Sequence, residues 1–74
     1  MAQIEYDGGA GSHTRMNFDL RDARNRQHVI DELTRWRDIR NLSADGVPCS
    51  VTEFIEYLKS PRANFYRFRR EDGW

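Results

Sequence analysis

Residues 15–20 have the sequence Arg15-Met16-Asn17-Phe18-Asp19-Leu20, in which polar and apolar side chains alternate strictly. Alternation with a period of two predicts a strand that buries one face and leaves the other to water or to a partner. Residues 3–7 and 64–70 show the same pattern, so the sequence predicts three strands of this kind. The glycine-rich segment 8–13 separates the first two and is expected to form a mobile hairpin loop.

Two segments with helical spacing lie between the second and third predicted strands. The first segment begins at one of three candidate N-caps (Asp19, Asp22 or Asn25) and is expected to end near residues 40–42. The second begins at Ser50-Val51-Thr52-Glu53, which has the pattern of a capping box, and ends before Pro61.

The predicted element order is therefore β-β-α-α-β in a single domain, residues 1–74, with residues 71–74 as a tail. The simplest assembly is an α+β open-faced sandwich, an antiparallel sheet with both helices on one face. The expected core consists of Ile4, Tyr6, Met16, Phe18, Leu20, Val29, Leu33, Trp36, Phe54, Ile55, Leu58, Tyr66 and Phe68.

The composition favours a surface that recognises specific partners over one that binds polyanions generally. Twelve basic and twelve acidic side chains cancel, and eleven of the basic ones are arginine. A guanidinium presents a planar fork that suits carboxylates, phosphates and aromatic faces. The single cysteine, Cys49, excludes an internal disulfide, and no apolar run approaches the length of a membrane span. A cytoplasmic, intracellular protein is expected.

Residues that could support catalysis or metal binding are few and badly spaced. His13, His28 and Cys49 form no pair with ligand spacing, and the neighbouring carboxylates Asp31 and Glu32 point to different faces of a helix. The glycine-rich loop lacks the Lys-Ser/Thr ending of a phosphate-binding loop. The sequence predicts no enzymatic activity, no cofactor and no metal.

The uncovered sheet face offers two interpretations. It is a solvated face held by cross-strand ion pairs, or it is an interface in which Phe65, an aromatic residue near several arginines, is the anchor. By alternation this face carries Gln3, Glu5, Asp7, Arg15, Asn17, Asp19, Phe65, Arg67 and Arg69.

The favoured function is a protein-interaction module, a regulator or inhibitor of the kind found among small bacterial and phage accessory proteins, which binds a larger protein through an Arg/aromatic patch. Nucleic-acid binding through the same residues is the alternative, since bases stack on aromatic rings while guanidiniums hold phosphates. A homodimer formed by edge pairing is a third interpretation. Trp74 either covers the core or contacts the partner. The Arg/aromatic patch consists of Phe65, Arg67, Arg69, Arg15, Arg62, Tyr57 and Trp74.

Overall fold

The computed structural model describes residues 1–9 and 11–65. They form an antiparallel four-stranded sheet and two α-helices, which confirms the α+β class. The strands are β1 (Ala2–Gly8), β2 (His13–Phe18), β3 (Ile39–Ala44) and β4 (Val47–Pro48), in the spatial order β2-β1-β3-β4. The helices are α1 (Ala23–Arg35) and α2 (Val51–Lys59), and a short 3-10 helix follows at Pro61–Phe65.

The hairpin of β1 and β2 follows the predicted alternation. Ile4 pairs with Met16 and Glu5 with Arg15, so apolar residues share one face and charged residues the other. Ala2, Ile4 and Tyr6 are buried, whereas the residues between them are only partly covered. The core therefore lies on one face of the sheet.

Both helices bury residues in that same core. Asp22 is the N-cap of α1 and accepts a hydrogen bond from the backbone N–H of Arg24. Ser50 caps α2 by accepting from the N–H of Glu53, as the capping-box pattern predicts. The buried helical residues are Val29, Ile30 and Leu33 of α1 with Phe54, Tyr57 and Leu58 of α2.

The described chain departs from the predicted order between the helices. Helix α1 ends at Arg35, and β3 and β4 lie where the sequence predicts the last turn of this helix and an irregular connection. The reason is the turn Asp45-Gly46, whose φ values are 51° and 79°. Two consecutive residues with positive φ favour a tight hairpin, so this turn folds β4 back on β3.

A bulge fits β3 against β1. Glu5 pairs with Ser43 and Asp7 with Arg40, so two residues of β3 face the single residue Tyr6. Asn41 lies in this bulge with φ 54°, a left-handed conformation that asparagine tolerates better than most residues.

One predicted core residue, Trp36, and one predicted member of the exposed Arg/aromatic patch, Tyr57, are corrected. Trp36 is 54% exposed, because the helix has ended and its backbone is extended, so the side chain leaves the apolar stripe. Tyr57, expected at the rim, is buried at 7% exposure because the apolar stripe of α2 is centred on Phe54, Tyr57 and Leu58. Met16, Phe18 and Ile55 pack against the core while partly exposed, and Tyr66 and Phe68 lie outside the described residues.

The predicted last strand begins differently. Asn64 and Phe65 belong to the 3-10 helix rather than to a strand, and residues 66–70 lie outside the described residues. Pro61 cannot continue α2 hydrogen bonding, and the N–H of Ala63 instead donates to the carbonyl of Ser60 at 3.2 Å. Ala63 is fully buried, which fixes this turn against the core.

Candidate partner-binding surfaces

The 3-10 helix presents Phe65 to solvent with 76% of its surface exposed. The guanidinium of Arg26, from the first turns of α1, holds this helix in place. Its Nη1 donates to the Ala63 carbonyl at 3.3 Å, and its Nη2 donates to Asn64 Oδ1 at 3.0 Å. Arg26 therefore connects α1 to the two residues that precede Phe65.

The same guanidinium also binds the connection between β2 and α1. Arg26 Nη1 lies 3.0 Å from the carbonyl oxygen of Leu20 and 2.9 Å from that of Arg21. A planar cation with several N–H donors can serve such a group of acceptors, which a lysine could not match in geometry. Arg26 thus connects the start of α1 and the residues just before it to the 3-10 helix, which is 37 residues away at Ala63.

Two further members of the Arg/aromatic patch are Arg62, in the 3-10 helix itself, and Tyr57, in α2. The Arg62 guanidinium carbon is 5.7 Å from the centroid of the Tyr57 ring, a cation–π distance. Both residues line a cavity of about 260 Å³ together with Glu53, Glu56 and Ser60. Since Tyr57 is buried, its ring acts mainly as a platform for Arg62.

The structure places Arg15 elsewhere. It lies on the charged face of β2, away from the helices, and its Nε is 3.0 Å from Glu5 Oε1 on the neighbouring strand. The structure therefore does not bring Arg15 together with Tyr57 and Arg62, which lie on the helical side of the sheet. Arg67, Arg69 and Trp74 lie outside the described residues.

The uncovered face of the β1–β2 hairpin contains a polar network. His13 Nδ1 is 2.8 Å from Asp7 Oδ1, and its Nε2 is 3.6 Å from Glu5 Oε2. The side-chain amide of Asn41 donates to Asp7 Oδ2 at 2.9 Å. This hydrogen bond, with that from His13, lowers the pKa of the Asp7 carboxyl. Cross-strand pairing of this kind is what the interpretation as a solvated face predicts.

Cys49 shows no sign of a reactive thiol. Burial, with a smaller effect from the charge of Glu53, raises its pKa to about 12. The thiol is therefore protonated at neutral pH, and a protonated thiol is a poor nucleophile. Among residues 1–9 and 11–65, no group of three histidine, cysteine or acidic side chains is arranged to hold a metal ion.

Trp36 is a second exposed aromatic residue, although the helical spacing of the sequence predicts it in the core. It lines a cavity of about 400 Å³ between the end of α1 and the β1–β2 hairpin. The signal that could have found it is Asp45-Gly46, because a hairpin there requires a strand before it and so an earlier end to α1.

No helix in the described part of the chain is both long and apolar enough to cross a bilayer. Comparison with known proteins gives no relative, since no protein family, curated protein sequence or solved structure matches this chain.

Proposed function

We propose that this protein is a small cytoplasmic interaction module that regulates or inhibits a larger protein by binding it through the part of the Arg/aromatic patch around Phe65. The observation that supports this proposal is the exposure of Phe65, 76%, on a 3-10 helix whose position is fixed by Arg26. Aromatic side chains lose few rotatable bonds on binding, and they are among the residue types found as interface anchors.

The surroundings of Phe65 suit a protein surface. Arg62 lies nearby over Tyr57, and the sequence after Phe65 continues with Arg67, Arg69 and Arg70. Arginine and aromatic side chains are the types enriched at interface hot spots. The proposed partner therefore offers an apolar pocket for Phe65 and carboxylates around it.

Nucleic-acid binding is the competing proposal, because four arginines alternate with aromatic residues in the segment 62–70. The acidic residues Glu53 and Glu56, which line the same cavity as Arg62, weigh against it, since they would repel phosphate. The protein-binding proposal is the better supported of the two.

Affinity capture from the cells that express the protein, with and without nuclease, tests the proposal. The wild type should retain a defined protein after nuclease treatment, and Phe65→Ala and Arg67→Ala should each lose it without a change in melting temperature. Arg24→Ala is the matched control, because its side chain is 94% exposed and lies at the start of α1. Capture that requires nucleic acid and falls steeply with salt would support the competing proposal. Unchanged capture by Phe65→Ala would contradict the protein-binding site.

A further inference from the structure

The sheet has an open edge along β2. In the part of the chain that the structure describes, β2 pairs with β1 on one side and with no strand on the other. The opposite edge of the sheet is β4, which has two residues and contains Pro48, a residue without a backbone N–H. The six residues of β2 therefore offer the better template for a further strand.

The apolar side of β2 is incompletely covered. On β1 the inward side chains Ile4 and Tyr6 are buried. Met16 and Phe18 of β2 also pack against the core, but they stay partly exposed. The Phe18 ring contacts the His28 ring of α1, with 5.1 Å between the ring centroids. The uncovered apolar surface thus lies at the edge of β2, where a neighbouring strand would place its own inward side chains.

The chain leaves the described residues close to the end of β2. Arg26 Nη1 is 3.0 Å from the carbonyl oxygen of Leu20 and 3.3 Å from that of Ala63, so the 3-10 helix lies next to the residues that follow β2. Nine residues, 66–74, come after Phe65. A strand that begins here and runs antiparallel to β2 needs no long connection.

The sequence after Phe65 has the alternation that such a strand requires. Tyr66 and Phe68 alternate with Arg67 and Arg69. Because successive side chains of a strand point to opposite faces, the two aromatic residues can join the apolar face while the two arginines lie on the charged one. The segment therefore matches both faces of the open edge.

Charge selects the register of this pairing. Like charges directly opposite each other destabilise a strand pair, so registers that place an arginine of the segment opposite Arg15 are disfavoured. The register with Glu71 opposite Arg15 avoids this repulsion. It also places Phe68 opposite Phe18, as an aromatic pair on the apolar face.

We propose that residues 66–71 form a fifth strand, which pairs antiparallel with β2 in the register that places Glu71 opposite Arg15. This strand protects the edge of the sheet from pairing with other chains and completes the apolar face. It also places Arg67 and Arg69 on the uncovered face of the sheet. The inference is independent of the proposed function, because it concerns the isolated chain.

The backbone of β2 offers a direct test. The N–H of Gly8 donates to the Ser12 carbonyl at 2.7 Å and continues the β1–β2 register, so Gly8 and Ser12 form a hydrogen-bonded pair. Such pairs alternate along an antiparallel ladder. The Met16 N–H therefore points to β1, and the N–H groups of Arg15 and Asn17 point to the open edge. Exchange of these three amides reports the two edges of β2 separately.

The measurement is amide hydrogen exchange of the full chain, followed in ¹H–¹⁵N spectra. In the wild type, the Arg15 and Asn17 amides should be protected, as the Met16 amide is. Phe68→Ser should speed exchange at Arg15 and Asn17 at least about tenfold, because it removes a buried aromatic contact, and should leave Met16 protected. Arg69→Ser is the matched control, since it makes the same new residue on the opposite face of the segment, and it should leave all three rates unchanged.

A second measurement tests the register in the wild type. Phe18 and Phe68 would form a non-hydrogen-bonded pair, in which the two Cα atoms come closest, so a nuclear Overhauser effect between their Hα protons is expected. Its absence would overturn the proposed pairing. This measurement also decides the matter if Phe68→Ser unfolds the whole domain, which loss of protection at Met16 would reveal.

Three results of the exchange experiment would overturn the proposal. The first is free exchange at Arg15 and Asn17 in the wild type. The second is an equal effect of Phe68→Ser and Arg69→Ser. The third is protection that appears only as the protein concentration rises, because a second copy of the chain would then occupy the edge.

Discussion

Asp45 and Gln3 form a reciprocal pair across the sheet: the Asp45 carboxylate accepts from the Gln3 backbone N–H at 2.9 Å, and the Asp45 N–H donates to the Gln3 carbonyl at 2.8 Å. Asp45 also has positive φ at the β3–β4 turn. Asp45→Ala should therefore lower the free energy of unfolding by about 1–3 kcal/mol, since it loses an acceptor for a backbone donor and the tolerance for this conformation. Asp45→Asn keeps both and should remain close to the wild type in urea unfolding. Equal loss in the two variants would show that the negative charge is what matters.

Arg26→Ala removes a guanidinium that binds three carbonyls and the Asn64 side chain. We expect a loss of about 1–3 kcal/mol, because carbonyls near the core lose their partner. Hydrogen exchange at the Ala63 amide, which is bonded to Ser60, should become faster. Arg24→Ala, which changes an exposed arginine on the same helix, should leave both measurements unchanged. Unaltered exchange at Ala63 in Arg26→Ala would contradict the role of Arg26 as a support for Phe65.

Substitutions at Leu33, in α1, and at Trp36, just after its end, distinguish the core from the surface. Leu33 is 1% exposed and Leu33→Ala should cost about 2–5 kcal/mol, whereas Trp36, at 54% exposure, should cost clearly less on change to alanine. Phe54→Ala should behave like Leu33→Ala because Phe54 is fully buried. Thermal melts of the three variants provide the measurement. A Trp36→Ala variant as unstable as Leu33→Ala would place the indole in the core after all.

Ser50→Ala should lower stability by about 0.5–2 kcal/mol, because the Ser50 hydroxyl accepts from the Glu53 N–H at 3.1 Å at the start of α2. Thr52→Ala is the control, since Thr52 is exposed within the helix and alanine is the better helix former. The measurement is the urea midpoint of both variants. A Ser50→Ala variant with an unchanged midpoint would mean that α2 does not depend on this cap.

Cys49 gives a prediction about pH. Burial raises its pKa from 9.0 to about 12, so the folded state holds the thiol proton that the unfolded state releases. Its contribution to stability is therefore complete below pH 9 and is lost as the pH rises from about 9 to about 12. Cys49→Ala should abolish this part of the pH dependence in unfolding experiments between these limits. A wild-type thiol that reacts with a thiol reagent at neutral pH as fast as an unfolded peptide would contradict the raised pKa.

The sequence predicts correctly those strands and helices for which the pattern of neighbouring residues favours the same structure as the packing in the fold. The alternation around Ile4 and Met16 and the capping box at Ser50 each determine one element from neighbouring residues. The end of α1 was mispredicted because the apolar spacing continues through Trp36 and Ile39, although Ile39 belongs to β3. Only pairing with β1, across more than thirty residues, makes that segment a strand. Pairing with a distant strand can determine the structure of a segment even where its own apolar spacing favours a helix, so this segment could not be identified as a strand from its own residues.

The candidate site was predicted in part. Phe65 is exposed, as the sequence predicts. The sequence predicts it on a strand, however, and it lies in a 3-10 helix. The hydrogen bonds between Arg26 and the 3-10 helix and the β2–α1 connection could not be predicted. Most of their acceptors are backbone carbonyl oxygens, which every residue has whatever its side chain. Arg15 is included in the patch because it is an arginine on a predicted strand. The strand register places it opposite Glu5, on the face of the sheet away from Tyr57 and Arg62.

The central position of β1 has a consequence for the order of folding during synthesis. Its partner on one side, β2, follows within a few residues, but Ile4 pairs with Ala44 on the other side, so the chain must be made as far as Ala44 before that contact can form. A two-stranded hairpin alone is at best marginally stable in water. The ribosome-bound chain should therefore stay open to proteases until β3 has emerged, and cooperative protection should appear in one late step.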